Sequence, residues 1–222
     1  MNDPNTLRIS IDAKATIKLG EFSRRGRSRT TIKAFDHDFS NDQKKVHLLG
    51  IYLPELKESY LFFLPETQSL TADSIADCLE LFFEEQGHFM NQIDHILINL
   101  DNGPENHSGR RQFIKRLVEM TDHLSKKIEL AYYPPYHSKY NPIERIWGVL
   151  EQHWNGTLLV DLETVVEMAK SMTYGKEHPI VRIIDKVYKR GVTVSDQVMQ
   201  SFEQRLKRKS GIEKYALTIT PS

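Results

Sequence analysis

Apolar and polar positions in the first third of the chain follow the two-residue period of strands. Leu7, Ile9 and Ile11 fall on one face of a strand that Asp12 is expected to close. Thr30–Phe35 reads as a second short strand. Val46–Leu53 and Tyr60–Leu64 are apolar, β-rich runs parted by a turn around Pro54 and Lys57. The period then lengthens. Thr71 is a good N-cap, Ile75, Leu79, Phe82 and Phe83 share one helical face, and Gly87 is a natural stop. Ile93–Leu100 follows as a buried strand ending at Asp101, which opens the sharp loop Asp101-Asn102-Gly103-Pro104. A helix over about Ser108–Lys126 carries Phe113, Leu117, Met120 and Leu124 on one side. Ile128–Tyr133 is a strand broken by Pro134-Pro135. A further helix is expected to start at Asn141-Pro142, with Ile143, Trp147, Leu150 and Trp154 as its core-facing stripe. Beyond about Leu158, the stretches Val165–Met172, Ile180–Tyr188 and Val194–Leu206 all read as helical.

Short links between the early strands imply antiparallel pairing, and helical crossovers between the later ones imply parallel pairing. The pattern predicts an α/β fold: a mixed sheet with flanking helices and a helical C-terminal extension. The expected division is a core over residues 5–156 and an extension over 157–222 packed on it. At 222 residues the chain is long enough for one full core with a small appendage. It is 39% hydrophobic and 27% charged, which excludes a disordered chain, and no apolar run is long enough to span a bilayer. The start, MNDPNTLRIS, lacks the form of a signal peptide. A single cysteine, Cys78, excludes an internal disulfide and a cysteine-based zinc site. A cytoplasmic protein is expected, nucleoid-associated when bound to DNA.

Lysine plus arginine and aspartate plus glutamate both total 30, so net charge decides nothing. Distribution says more. Lys14, Lys18, Arg24, Arg25, Arg27, Arg29 and Lys33 face Glu21 alone, among Ser23, Gly26, Ser28 and Thr30. That composition suits a flexible loop donating to a phosphate backbone, although such a cluster can equally be a solvated face.

Three carboxylates stand out by position. Asp12 ends the first strand, Asp101 ends the strand after the first helix, and Glu144 lies in the first turn of the helix after the last strand. If the two aspartate-bearing strands are neighbours, both residues meet at one sheet edge, where Glu144 can join them. Two-metal phosphoryl chemistry needs such a set: two Mg²⁺ ions about 3.5–4 Å apart clamp the attacking and leaving oxygens, and Mg²⁺ prefers oxygen ligands. Each residue also has a plainer reading. Asp12 and Asp101 could be turn residues. Asn141-Pro142-Ile143-Glu144 has the form of a capping box, with Asn141 as N-cap.

The segment from Tyr132 to Trp147, with Pro134-Pro135-Tyr136-His137-Ser138-Lys139-Tyr140 running into Asn141-Pro142-Ile143-Glu144, resembles the signature of mariner-type and related insertion-sequence transposases. More closely, the chain resembles the Rhodopirellula-type transposase DDE domain. Ser10-Ile11-Asp12-Ala13-Lys14 is similar to that family's first acidic motif. Asn99-Leu100-Asp101-Asn102-Gly103-Pro104-Glu105-Asn106 is similar to its second, and His153-Trp154-Asn155-Gly156 to the stretch after the third. The long stretch between Asp101 and Glu144 favours this family over true mariner elements.

The resemblance implies a ribonuclease-H-like fold with Asp12, Asp101 and Glu144 as catalytic, metal-binding triad. The implied cofactor is two Mg²⁺ ions, with Mn²⁺ able to substitute. The implied activity is strand cleavage at insertion-sequence ends, then in-line attack of the freed 3′ hydroxyl on target DNA. Double-stranded DNA is the expected partner, with a homodimer or higher synaptic assembly and no membrane. Lys14, Arg24, Arg25, Arg27, Arg29, His137 and Lys139 are the expected DNA contacts. Full-length relatives usually carry an N-terminal helix-turn-helix. Here the first strand begins close to Met1, so a fragment, a separately encoded reading region or its loss is expected. A catalytically idle remnant that only binds DNA or a partner is the main rival reading. Another ribonuclease-H-like enzyme, such as an RNA–DNA hybrid nuclease or a junction resolvase, is the second.

Overall fold

The computed structural model describes residues 3–22, 44–65, 67–134 and 137–222. The expected strand Thr30–Phe35 and the side chains of Arg24, Arg25, Arg27 and Arg29 lie outside these residues. In chain order the elements are β1 (Thr6–Lys18), β2 (Lys45–Leu53), β3 (Glu58–Leu64), α1 (Ala72–Glu85), β4 (His95–Leu100), α2 (Arg111–Leu124), β5 (Lys127–Tyr132), α3 (Glu144–His153), α4 (Leu162–Ser171), β6 (Ile180–Ile183), α5 (Asp196–Phe202), β7 (Leu206–Arg208) and β8 (Ala216–Ile219). The strands form one sheet in the order β6-β3-β2-β1-β4-β5-β8-β7. As the loop lengths predict, β1, β2 and β3 pair antiparallel, while β1, β4 and β5 pair parallel through helical crossovers. This is the mixed α/β sheet of a ribonuclease-H-like domain.

Each face of the sheet buries its own apolar layer. Leu7, Ile9 and Ile11 of β1 face α1 and α2, where Ile75, Leu79, Phe82, Phe113 and Leu117 pack. Leu48, Leu61 and Phe63 face α3 and α4 with Trp147, Leu150, Trp154 and Val165. β1 runs well past Asp12. A bulge between Lys14 and Ile17 shifts its register against β2, and Ile17 accordingly joins the α3 side although Ile11 faces α1 and α2. At the head of α1, Thr71 accepts from the Ser74 amide at 3.1 Å, and the Ser74 hydroxyl accepts from the Thr71 amide at 2.8 Å, a reciprocal capping box.

The segment beyond residue 157 corrects two expectations. Ile180–Tyr188 is not a helix. Its β-branched residues alternate in contact, Ile180 and Ile184 with the α1–α2 layer and Val181 with the α3–α4 layer, and Ile180–Ile183 pairs parallel with the free edge of β3. In Val194–Leu206 the α-helix covers Asp196–Phe202 and passes into a 3₁₀ turn over Glu203–Arg205. Leu206 opens β7, which pairs with β8, and β8 in turn lies on the outer edge of β5. Unpaired backbone at both sheet edges therefore outweighs the weak helical period of these stretches.

Candidate active site

The site begins with strand register. β1 and β4 pair in parallel from Thr6↔His95 to Ser10↔Asn99. Asp12 and Asp101 each stand two residues further along, so both come to the carboxyl edge of β4. The expectation that Asp12 closes its strand is corrected: it lies inside β1, still paired with Gly50 of β2. It is part-buried rather than solvated. Asp101 begins the loop to α2, and its Oδ1 accepts from Asn106 Nδ2 at 3.2 Å. The Tyr132 hydroxyl donates to the Asn106 carbonyl at 2.8 Å, which fixes the loop against β5.

Glu144 arrives differently from the capping-box expectation. Asn141 is 1% exposed and does not cap α3. Its Oδ1 accepts from the Ser10 hydroxyl at 2.5 Å, and its Nδ2 donates to the Ile11 carbonyl at 3.0 Å. Ser10 Oγ accepts in turn from the Ile143 amide at 3.0 Å. With its oxygen already engaged, the side chain cannot receive the helix's orphan amides. The Glu144, Arg145 and Ile146 amides instead reach the carbonyls three residues back, at 3.0, 3.2 and 2.9 Å. Asn141 thus clamps the head of α3 to β1 two residues from Asp12, and Glu144 is the first helical residue.

Trp147, predicted as a core-facing member of the α3 stripe, is buried among the α3–α4 layer and also donates Nε1 to Asp12 Oδ2 at 2.8 Å. The Asp12 carboxyl is pushed up to about 7. Burial is the largest cause. The Trp147 hydrogen bond opposes it, and the negative charges of Asp101 and Glu144 add to it. The three carboxylates therefore share one electrostatic neighbourhood. Among the described residues none of them is in an ion pair. Also among the described residues, no three His, Cys, Asp or Glu side chains stand together as a group that could hold a metal ion. Asp12 is turned to Trp147 and Asp101 to Asn106. The donor set is all oxygen with uncompensated negative charge, which fits a hard divalent cation such as Mg²⁺.

Sequence reasoning missed four supports of this site. Asn141 reads as an N-cap, and Ser10 only as part of a motif, until β1 and α3 are brought together. Lys14, expected as a phosphate contact, is 9% exposed, pairs with Glu151 at 2.6 Å, and lies 5.9 and 5.8 Å from the Trp147 and Trp154 rings. Gly50 leaves room for Trp147. A Cβ there would overlap the indole Cη2 and stand 2.9 Å from Ile143 Cδ1. Gly50→Ala is expected to destabilise the fold by about 1–3 kcal/mol, as overpacking does, and to displace the Asp12 partner. Urea unfolding with tryptophan fluorescence checks this; a variant as stable as the parent with an unchanged spectrum contradicts it. His137 and Lys139 are exposed around the short 3₁₀ turn before α3. The His137 ring stacks on Tyr140 at 5.8 Å, and the Lys139 ammonium lies 5.2 Å from the Tyr140 ring.

Over residues 1–221 the chain matches the family described as the Rhodopirellula transposase DDE domain. The chain belongs to that family. A search of the curated proteins gives no match. Membership in this DDE family supports a transposase role with DNA as partner, and such families generally use divalent metals. Among the described residues no helix is long and apolar enough to cross a membrane.

Proposed function

We propose that the domain cleaves DNA strands and transfers the freed ends, using Asp12, Asp101 and Glu144 to hold two divalent cations. The reading is supported by the β1–β4 register that brings Asp12 and Asp101 to one sheet edge, by the Asn141 clamp that holds the head of α3 to β1 beside them, and by the charges of Asp101 and Glu144 bearing on Asp12. A part-buried cluster of like charge is unfavourable on its own and gains stability from a bound cation. When bound, Mg²⁺ would activate the attacking oxygen and stabilise the leaving one. The chain's own part is positional. Trp147 fixes the Asp12 carboxylate, Asn106 fixes Asp101, and the Asn141–Ser10 clamp fixes Glu144. His137 and Lys139, exposed beside Glu144, are proposed to border the DNA, and Arg24, Arg25, Arg27 and Arg29 to meet its phosphates.

The test is nicking of supercoiled plasmid with Mg²⁺ or Mn²⁺. The wild-type protein is expected to nick, and Asp101→Asn to lose nicking while its circular dichroism and melting curve stay those of a folded protein. Nicking that survives in Asp101→Asn removes that residue from the site. A wild type that binds DNA but never nicks with either metal supports the idle remnant instead.

A further inference from the structure

A second feature lies on the α1–α2 side of the sheet, away from α3. Residues 188–194 run past the N-termini of α1 and α2 and leave two adjoining clefts of about 270 and 360 Å³, which share Arg110, Gln112 and Val192. Arg110, Arg111, Lys189 and Arg190 line them. The carboxylates lining them are Asp73 and Glu105, and Arg111 is paired with Asp196 at 2.5 Å. Asp73 is engaged by Gln112 at 2.7 Å and Arg116 at 2.9 Å, and Glu105 by Arg110 at 3.0 Å. Positive charge is thus in excess. Arg110 Nε is buried with no hydrogen-bond partner among the described residues. Lys189 and Arg190 are exposed. α2 has no side-chain cap, so the positive end of its dipole is uncompensated there.

The cleft is preformed. Asp77 holds the incoming segment through Lys186 at 2.5 Å and the Tyr188 hydroxyl at 2.9 Å, and Asp77 is itself tied to Arg116 at 2.6 Å. At the far end Arg111 donates to the Val194 carbonyl at 3.2 Å. Continuity with the candidate active site comes through one loop. Asn106 donates to Asp101, while the preceding residue, Glu105, holds Arg110 at the cleft. Small-molecule pockets are mostly apolar and enclose their ligand. This one is open, polar and cationic, at the same sheet edge as the acidic triad.

We propose that this cleft holds backbone phosphates of duplex DNA outside the reacting bond, contacted by Lys189, Arg190 and Arg110; the choice of DNA rests on the transposase reading. Contacts of this kind carry no sequence information and set the register of the duplex.

The experiment is duplex binding by fluorescence anisotropy across a salt series without divalent metal, for the wild type, Lys189→Ala/Arg190→Ala and Glu144→Gln. Each lost phosphate contact lowers the slope of log K against log salt by about 0.9, so the double variant should lose about two units of slope and roughly tenfold or more in affinity at low salt. Glu144→Gln should keep the wild-type slope and lose nicking. An unchanged slope and affinity in the double variant overturns the cleft while leaving the nicking result to judge the triad. Saturable binding of inorganic phosphate that vanishes in the double variant, with DNA binding unaltered, also overturns it and makes the cleft a small-anion site. A wild type that binds no duplex at low salt overturns both the cleft and its DNA premise.

Discussion

Asp12→Asn is expected to make the metal-free protein more stable at neutral pH and to lower nicking by roughly 10³-fold. The activity loss follows from removing a charged ligand, since a bound metal supplies several kcal/mol of transition-state stabilisation. The stability gain follows from Asp12 being raised from 3.8 to about 7 in the folded protein, first by burial and then by Asp101 and Glu144. Between those two values the folded state binds more protons than the unfolded one, so stability falls as pH rises through that window and stays low above it. At about 1.4 kcal/mol per unit, and discounting for part exposure, the loss is about 2–4 kcal/mol. Asparagine keeps an oxygen for Trp147 Nε1 and carries no charge, so its stability should not show this pH dependence. Mg²⁺ should raise the melting temperature of the wild type near pH 8 and have much less effect on the variant. Urea denaturation of both proteins from pH 5 to pH 8 decides the matter. Parallel stabilities over that range would show that Asp12 is not held under electrostatic strain.

Strands β2, β3, β4 and β5 were legible because each is a short apolar run bounded by a turn or cap. Thr71 and the Asp101-Asn102-Gly103-Pro104 loop mark their elements in the structure as they do in the chain. The outer strands were not. Ile180–Ile183 and Leu206–Arg208 carry no decisive local period, and their conformation comes from the open edges they meet, β3 in one case and β8 in the other. The three acidic positions were visible as strand-end and helix-start residues, but the surroundings of Asp12 and of its neighbour Lys14 were misread for the same reason. Asp12 was expected at a solvated strand end because the alternation stops there. The strand continues because β2 pairs with it as far as Lys18. Lys14 belonged by composition to a basic loop, yet its place on β1 turns it into the layer between two indoles. Long-range pairing, not local pattern, sets both.

Asn141 separates a local reading from a long-range one most sharply. Asparagine, aspartate and serine are nearly equivalent as helix N-caps, so exchange among them at a true cap changes stability little. In the clamp they are not equivalent. Asn141→Asp removes the donor to the Ile11 carbonyl and places a further negative charge beside Asp12. Asn141→Ser is too short to span from Ile11 to Ser10. Either change leaves a buried polar partner unmatched, at about 1–3 kcal/mol for each group. The expected loss is therefore roughly 2–4 kcal/mol in urea unfolding. The head of α3 is freed from β1, and a shift of about 1 Å in Glu144 can lower catalysis by about 10²-fold. Ser10→Ala removes the bridge from the other side and should lower nicking in the same direction, with an effect much less than additive when combined with Asn141→Ser, because both break one network. Additive losses in that double-mutant cycle, or an Asn141→Asp protein as stable and active as its parent, would return Asn141 to the role of an ordinary cap and leave the position of Glu144 without its support.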